Sequence, residues 1–189
     1  MRIIIDQDEV LAHWVARVIE WYNRDHGTSH VREDIKEYFA MEKVLGLNGK
    51  DYIKQAISVP SLYHFLDEVD GAKEGMKQLH DAGHELIIAT ALPPDGAIGY
   101  HGKIEWMRRI MPWFDLKNFV AIQRKYLLQG DILIDDAPHN VEAWVASGRE
   151  AILFDAPWNG HLDDSKYLRA KGWKEVIRIV ELLEKSASK

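Results

Sequence analysis

Ile3-Ile4-Ile5-Asp6-Gln7-Asp8-Glu9-Val10 is the stretch on which the fold turns. Three β-branched apolar residues lead straight into two acids separated by one residue. A short apolar run closed by a charge is the pattern of a strand buried on both faces of a parallel sheet. The pattern returns downstream. Leu86-Ile87-Ile88-Ala89 ends on Thr90, Ile132-Leu133-Ile134 ends on Asp135-Asp136, and Ala151-Ile152-Leu153-Phe154 ends on Asp155. A further short strand is expected over 119–122.

Helical patterns fill the intervals. Leu11, Trp14, Val15, Val18, Ile19 and Tyr22 recur at helical spacing and predict a helix over 10–22. A helix over 71–82 follows, with Asp70 placed to cap it and Gly83 placed to end it. Others are expected with a core at 104–111 stopped by Pro112, over 138–147 ended by Gly148, and over 173–183. Strands alternate with helices after residue 70, which predicts βαβ units. Residues 31–66 are rich in helix formers and aromatics, are broken by Asn48-Gly49 and show no strand pattern. The expected fold is therefore α/β, a Rossmann-like doubly wound parallel sheet. Residues 1–15 and 71–189 form the core, and a small helical cap at 16–70 is inserted after the first strand–helix unit.

Composition narrows the function classes. The chain has 189 residues, 47% of them hydrophobic and 29% charged, which is globular composition. No apolar run approaches the ~20 residues of a membrane span. The start meets an acid too soon for a signal peptide, so a cytoplasmic protein is expected. Cysteine is absent, which excludes disulfide frameworks, thiolate zinc sites and cysteine nucleophiles. A net charge of −6 argues against a nucleic-acid polymer or an anionic membrane as partner, but leaves room for a small anion in a local basic pocket. A monomer or a homodimer is equally compatible.

Ligands of open α/β sheets bind beyond the carboxyl ends of the strands. Asp6 and Asp8 follow the first apolar run, Thr90 the second, and Asp135-Asp136 a later one that Lys125 precedes. Acids, a hydroxyl and an amine thus converge from distant positions. Phosphoryl transfer needs such a set. A carboxylate can attack phosphorus, provided a cation such as Mg²⁺ offsets its charge. A second acid two residues away can protonate the leaving alkoxide. A hydroxyl and an ammonium neutralise the phosphoryl oxygens.

The four motifs resemble those of the haloacid dehalogenase superfamily of phosphatases: hhhhDxDx(V/T) at 3–10, a strand ending in Thr90, Lys125, and hhhhDD at 131–136. Within it the chain looks most like the 5'(3')-deoxyribonucleotidases. That group has a DxDGVLADF-like opening, matched by Asp6-Gln7-Asp8-Glu9-Val10-Leu11-Ala12-His13-Trp14. It has a Lys thirteen residues after the Thr, here Lys103, and a Lys ten residues before the acid pair, here Lys125. Bacterial members also carry a stretch matched by Leu153-Phe154-Asp155-Ala156-Pro157-Trp158-Asn159.

The resemblance implies a Mg²⁺-dependent phosphomonoesterase acting on deoxyribonucleoside 5'(3')-monophosphates through an aspartyl-phosphate. Asp6 would be the nucleophile and Asp8 the general acid/base. Asp6, the main-chain carbonyl of Asp8 and the Asp135/Asp136 pair would hold Mg²⁺, with either of the pair as the direct ligand. Thr90, Lys103 and Lys125 would bind phosphate. Trp14, and an aromatic of the insert such as Tyr38 or Phe39, would flank a base or sugar. The sequence departs from the group at Glu9 (usually Gly), Ala91 (usually Ser) and Gln123 (usually Arg), which bears on substrate more than on core chemistry.

Each signal has a plainer reading. Asp8 would favour the start of a helix at residue 10 through its dipole, and one of Asp135-Asp136 would sit near an N-cap. Alone, Thr90 is an ordinary strand-end residue and the two lysines are surface residues by base rate. Trp14 serves equally as core or as pocket wall, and Trp158 as a packing anchor. His80 and His84 read as surface or cap histidines with no zinc role, and His101 and His139 as solvated residues near the site. At the level of function the alternatives are a phosphatase for another small phosphate ester, or a catalytically weak regulatory phosphate-binding protein. A receiver-like signalling domain is disfavoured by motif order.

Overall fold

The computed structural model describes residues 1–92, 97–163 and 165–187. Among these, six strands form one sheet in the order β3-β2-β1-β4-β5-β6. They are β1 (Arg2–Ile5), β2 (Glu85–Thr90), β3 (Phe119–Ala121), β4 (Ile132–Asp135), β5 (Glu150–Phe154) and β6 (Leu168–Ala170). Every neighbouring pair is parallel. β1 is central: Ile3 pairs with Leu86 on one side and Ile132 on the other. The helices are α1 (Trp14–His26), α2 (Met41–Leu45), α3 (Gly49–Ile57), α4 (Pro60–His64), α5 (Ala72–Asp81), α6 (Ala97–Ile110), α7 (Pro138–Val145) and α8 (Trp173–Ala187).

The two faces of the sheet account for the apolar runs. Ile3 and Ile5 join one core cluster with Ile88, Ile132, Ile134 and Val176. Ile4 joins the other with Ala89, Leu133, Leu153, Val141 and Trp144. Side chains alternate along a strand, so a run covered on both faces must be apolar at every position. All three isoleucines are fully buried, each worth about 1.5–3 kcal/mol. This is the Rossmann-like, doubly wound parallel sheet that the sequence predicts. Among the described residues, no helix is long and apolar enough to cross a membrane.

Several local expectations are corrected. The first helix begins at Trp14, not at residue 10, because residues 7–13 close into a tight loop. Leu11 N and Ala12 N both donate to Gln7 O, at 2.9 and 3.0 Å. Val10 and Leu11 are buried within that loop, so Asp8 does not start a helix. Asp70 does not cap α5. The N-cap is Gly71, at φ 76° and with no side-chain cap bond. The described chain between α1 and α5 contains α2, α3, α4 and a 3-10 turn at Arg32–Asp34, and no strand. β6 carries no pattern that sequence reading can find, being three residues with an arginine at its centre. His84 is buried, not a surface residue: its Nδ1 lies 3.3 Å from the Met1 amino group and its Nε2 3.5 Å from Glu184 Oε1.

Candidate active site

The strand order turns back between β1 and β4, which opens a crevice beyond their carboxyl ends. β1 delivers Asp6 to it, and β4 delivers Asp135 and Asp136. A bond from Asp6 N to Ile134 O at 2.9 Å locks the two strand ends together. The loop after β1 is pinned from outside, where Trp173 Nε1 of α8 donates to Val10 O at 2.9 Å.

Two buried ammonium groups organise the acids. Lys125 Nζ lies 2.7 Å from Asp6 Oδ1 and donates to Asp135 Oδ2 at 2.6 Å. Lys103 Nζ donates to Asp8 Oδ2 at 2.5 Å and to Thr90 Oγ1 at 2.8 Å. Lys103 and Lys125 are 1% and 2% exposed, so neither is a surface lysine. The approach of α6 to α4 helps to place Lys103. A Cβ on Gly102 would fall 2.6 Å from the Tyr63 side chain, so glycine is required there.

Asp135 and Asp136 are held differently. Asp135 accepts from Asn140 Nδ2 at 3.0 Å and from Ala137 N at 2.8 Å, in addition to the Lys125 ammonium already described. The Ala137 bond brings Asp135 close to the capping role, although the N-cap of α7 is Ala137 itself. Asp136 Oδ2 accepts from Trp158 Nε1 at 2.9 Å. Its Oδ1 has no protein donor among the described residues, and neither does Asp6 Oδ2. Asp8 Oδ1 is buried without a partner.

Carboxylate oxygens of Asp6, Asp135 and Asp136 lie within 4.8 Å of one another. This all-oxygen donor set suits a hard cation such as Mg²⁺. Charge balance points the same way, since among the described residues Asp6, Asp8, Asp135 and Asp136 form ion pairs only with Lys103 and Lys125. The Asp8 carboxylate stands outside the set, on Lys103.

Burial raises the Asp8 carboxyl, against the pull of Lys103 and with help from Asp6. Burial likewise raises Asp135 to about 6, opposed by Lys125 and reinforced by Asp6. Asp136 is pushed well up by burial, then by Asp135 and Asp6. Burial opposes the charge on Lys125, but Asp135 and Asp6 outweigh it and raise that group. The folded metal-free protein therefore binds protons that the unfolded chain releases. These acids contribute stability below the unfolded carboxylate range near pH ~4, and the contribution is lost as pH rises through about 6. A hard cation held by these acids would need their deprotonated form, so added Mg²⁺ should raise the melting temperature more at pH ~7.5 than at pH ~5. Melting curves in EDTA and in Mg²⁺ at both pH values check this. An equal gain at both would contradict it.

A cleft of about 730 Å³ opens over these groups and is lined by Asp6, Asp8, Lys125 and Asp136 below and by Trp14, Tyr38 and Phe39 above. Phe39 is 80% exposed and sits at φ 64°, a conformation that costs a bulky residue strain. The Tyr38 and Phe39 rings also pack on His139, at 5.1 and 5.9 Å between centroids. Ala91 and Gln123 line the same cleft. His101 is exposed and does not. A depression of about 930 Å³ lies at the opposite edge of the sheet, around Met1, Asp131 and Arg149, far from the acids.

Three contacts escape the sequence reading. Trp158 is buried, as a packing anchor is, but it also binds the acid pair through its indole N–H. Asn140 supports Asp135 from within α7, five residues along, a spacing that alone carries no signal. Glu9, at φ 62°, turns its carboxylate inward: Oε1 accepts from Val15 N at 2.7 Å and Oε2 from Arg32 Nε at 2.6 Å.

The sequence profile of the family described as "5' nucleotidase, deoxy (Pyrimidine), cytosolic type C protein" matches residues 1–187. A Staphylococcus epidermidis relative called "Putative 5'(3')-deoxyribonucleotidase" is 30% identical over 97% of this chain and 98% of its own. The 5'(3')-deoxyribonucleotidase of Bacillus subtilis strain 168 is 26% identical over 93% of this chain and 96% of its own. A haloacid dehalogenase family hydrolase of Deinococcus radiodurans, solved with bound phosphate and sodium, has the same fold. Its TM-score is 0.60 at 14% identity, covering 95% of this chain and 94% of that one.

Proposed function

This chain belongs to the family of cytosolic type C 5' nucleotidases, and we propose from that premise that it hydrolyses deoxyribonucleoside 5'(3')-monophosphates in a Mg²⁺-dependent reaction with Asp6 as nucleophile. It is a phosphoric monoester hydrolase, and its substrate is a small phosphate ester. The observation that carries the reading is the pair of buried ammonium groups, Lys125 on Asp6 and Lys103 between Asp8 and Thr90, beside an acid cluster under an aromatic-walled cleft.

Asp6 attacks phosphorus through a carboxylate oxygen, and the bond from phosphorus to the ester oxygen breaks. Asp8, raised by burial, passes its proton to the leaving alkoxide. Deprotonated Asp8 then takes a proton from water, which attacks the acyl-phosphate at phosphorus and returns Asp6 as a carboxylate. Lys125, Lys103 and Thr90 bear on the phosphoryl oxygens throughout. Asp6, Asp136 and the main-chain carbonyl of Asp8 would hold Mg²⁺. Bound Mg²⁺ supplies the positive charge that lets an anionic nucleophile meet an anionic substrate. We assign Asp136 as the direct ligand of the acid pair, because it keeps an oxygen free of protein donors whereas Asp135 is engaged by Lys125, Asn140 and Ala137 N. Residues 16–70 serve as the cap over a core of 1–15 and 71–189. Trp14, Tyr38 and Phe39 offer ring faces to the base or sugar.

Phosphate release from dUMP, dTMP, dGMP, UMP, a 3'-monophosphate and several sugar phosphates, with and without Mg²⁺, tests this reading. Mg²⁺-dependent release favouring deoxynucleotides is expected. Release from sugar phosphates alone would keep the chemistry and discard the substrate. No release from any of them would favour a regulatory phosphate-binding role.

A further inference from the structure

Glu9 occupies a backbone conformation that glycine adopts freely and other residues adopt under strain. It is also 4% exposed, so its charge is buried at the edge of the cleft. A strained, buried carboxylate persists only where its surroundings hold it in place. Here they do so from two sides. Oε1 satisfies Val15 N in the first turn of α1, whose N-cap residue His13 makes no side-chain cap bond. Oε2 takes the Arg32 guanidinium from the insert.

Arg32 also lies over the Trp158 indole, 5.0 Å from the ring centroid, and Trp158 in turn donates to Asp136. One guanidinium thereby joins the loop after β1, the 3-10 turn of the insert and the loop after β5. Six residues beyond it the chain reaches Tyr38 and Phe39 on the cleft wall. Among the described residues, Arg32 makes the side-chain hydrogen bond that ties segment 32–39 to the body of the protein. The other side-chain polar contacts of this segment stay within the insert, from Asp34 to Val31 N and from Glu37 to Lys43.

We propose that the Glu9–Arg32 ion pair is a latch that sets segment 32–39 over the cleft, and that Arg32 and Glu9 are positioning residues for the wall that receives the nucleoside. The proposal rests on the deoxynucleotidase reading for its substrate. Arg32 makes no hydrogen bond to a side chain assigned to phosphoryl transfer, and Glu9 meets those groups only through its peptide link to Asp8, so loss of Arg32 acts on substrate affinity before turnover.

Four variants test it: Arg32→Ala, Arg32→Lys, Glu9→Gly and the double variant Glu9→Gly/Arg32→Ala. Each is assayed with dUMP and by hydrogen exchange. Arg32→Ala is expected to raise KM about tenfold or more while kcat changes by less than about threefold, as fits a misplaced binding wall. Arg32→Lys should recover most of the loss. Glycine relieves the strain at residue 9 and the double variant buries no unpaired charge, so it folds even where a single variant does not. It should still show the raised KM, and amides 32–39 should exchange faster while the β1 and β4 amides do not. An unchanged KM, a fall in kcat with KM intact, or wild-type KM and exchange protection in the double variant would overturn the proposal. The last result would mean that Arg32 serves only to neutralise Glu9. If the wild-type protein releases no phosphate from dUMP, the substrate reading fails, and exchange at 32–39 still decides the latch.

Discussion

Asp6→Asn is expected to lower kcat by about four orders of magnitude or more, the scale of loss when a covalent nucleophile is removed. The amide is nearly isosteric, and its oxygen still accepts from Gln7 N and Lys125 Nζ in the positions that Asp6 Oδ1 holds at 2.8 and 2.7 Å. What it loses is the charge that attacks phosphorus and one carboxylate of the cation set. The fold should not suffer. Asp6 adds to the upward push on Asp8, Asp135 and Asp136, so neutralising it relieves repulsion among buried acids. The metal-free variant should melt no lower than the wild type, and its stabilisation by Mg²⁺ should shrink. Steady-state kinetics and melting curves check both halves. Substantial turnover by the variant would remove Asp6 from the role of nucleophile.

Lys125→Ala should damage both stability and rate. Its ammonium is the counter-charge shared by Asp6 and Asp135, and Asp135 is fully buried. Removing one partner of a buried ion pair costs about 3–5 kcal/mol, because the other charge is left uncompensated. On activity, loss of one preorganised donor to the phosphoryl group costs about 10²–10³ in kcat. The two losses separate by experiment. High Mg²⁺ should restore part of the stability, since a cation can replace the missing charge, but it cannot replace a donor to a phosphoryl oxygen. Urea unfolding and kcat, each with and without Mg²⁺, give the comparison. A rate equal to wild type would place Lys125 outside the chemistry and leave it a structural counter-ion.

The gathering of acids, a hydroxyl and two amines at one sheet edge is the most legible part of this protein, and the reason is geometric. A parallel sheet sends the end of every strand to one edge, so the residue after each apolar run is placed by topology alone. Asp6, Thr90 and Asp135 are of that kind. Lys103 and Lys125 looked like surface lysines one at a time. They became informative through their spacing to Thr90 and to the acid pair, and the structure brings both within hydrogen-bond reach of those partners. Loop geometry was not legible. Val10 and Leu11 keep helical spacing with the residues after them, yet they belong to a turn closed on Gln7 O, because burial of apolar side chains does not reveal backbone direction. Glu9 stands where the resembling group usually has glycine. Its partner Arg32 lies 23 residues away, and no local pattern joins the two. The burial of His84 is hidden from the sequence for a similar reason, as the Met1 amino group and Glu184 that flank it come from opposite ends of the chain.

The most direct test of the central claim is to quench the enzyme with acid during turnover of dUMP in Mg²⁺ and map any phosphorylated peptide by mass spectrometry. A phosphoryl adduct is expected on the peptide containing Asp6, and none is expected in Asp6→Asn. Steady release of phosphate from dUMP with no adduct on Asp6, or an adduct on any other residue, would contradict it.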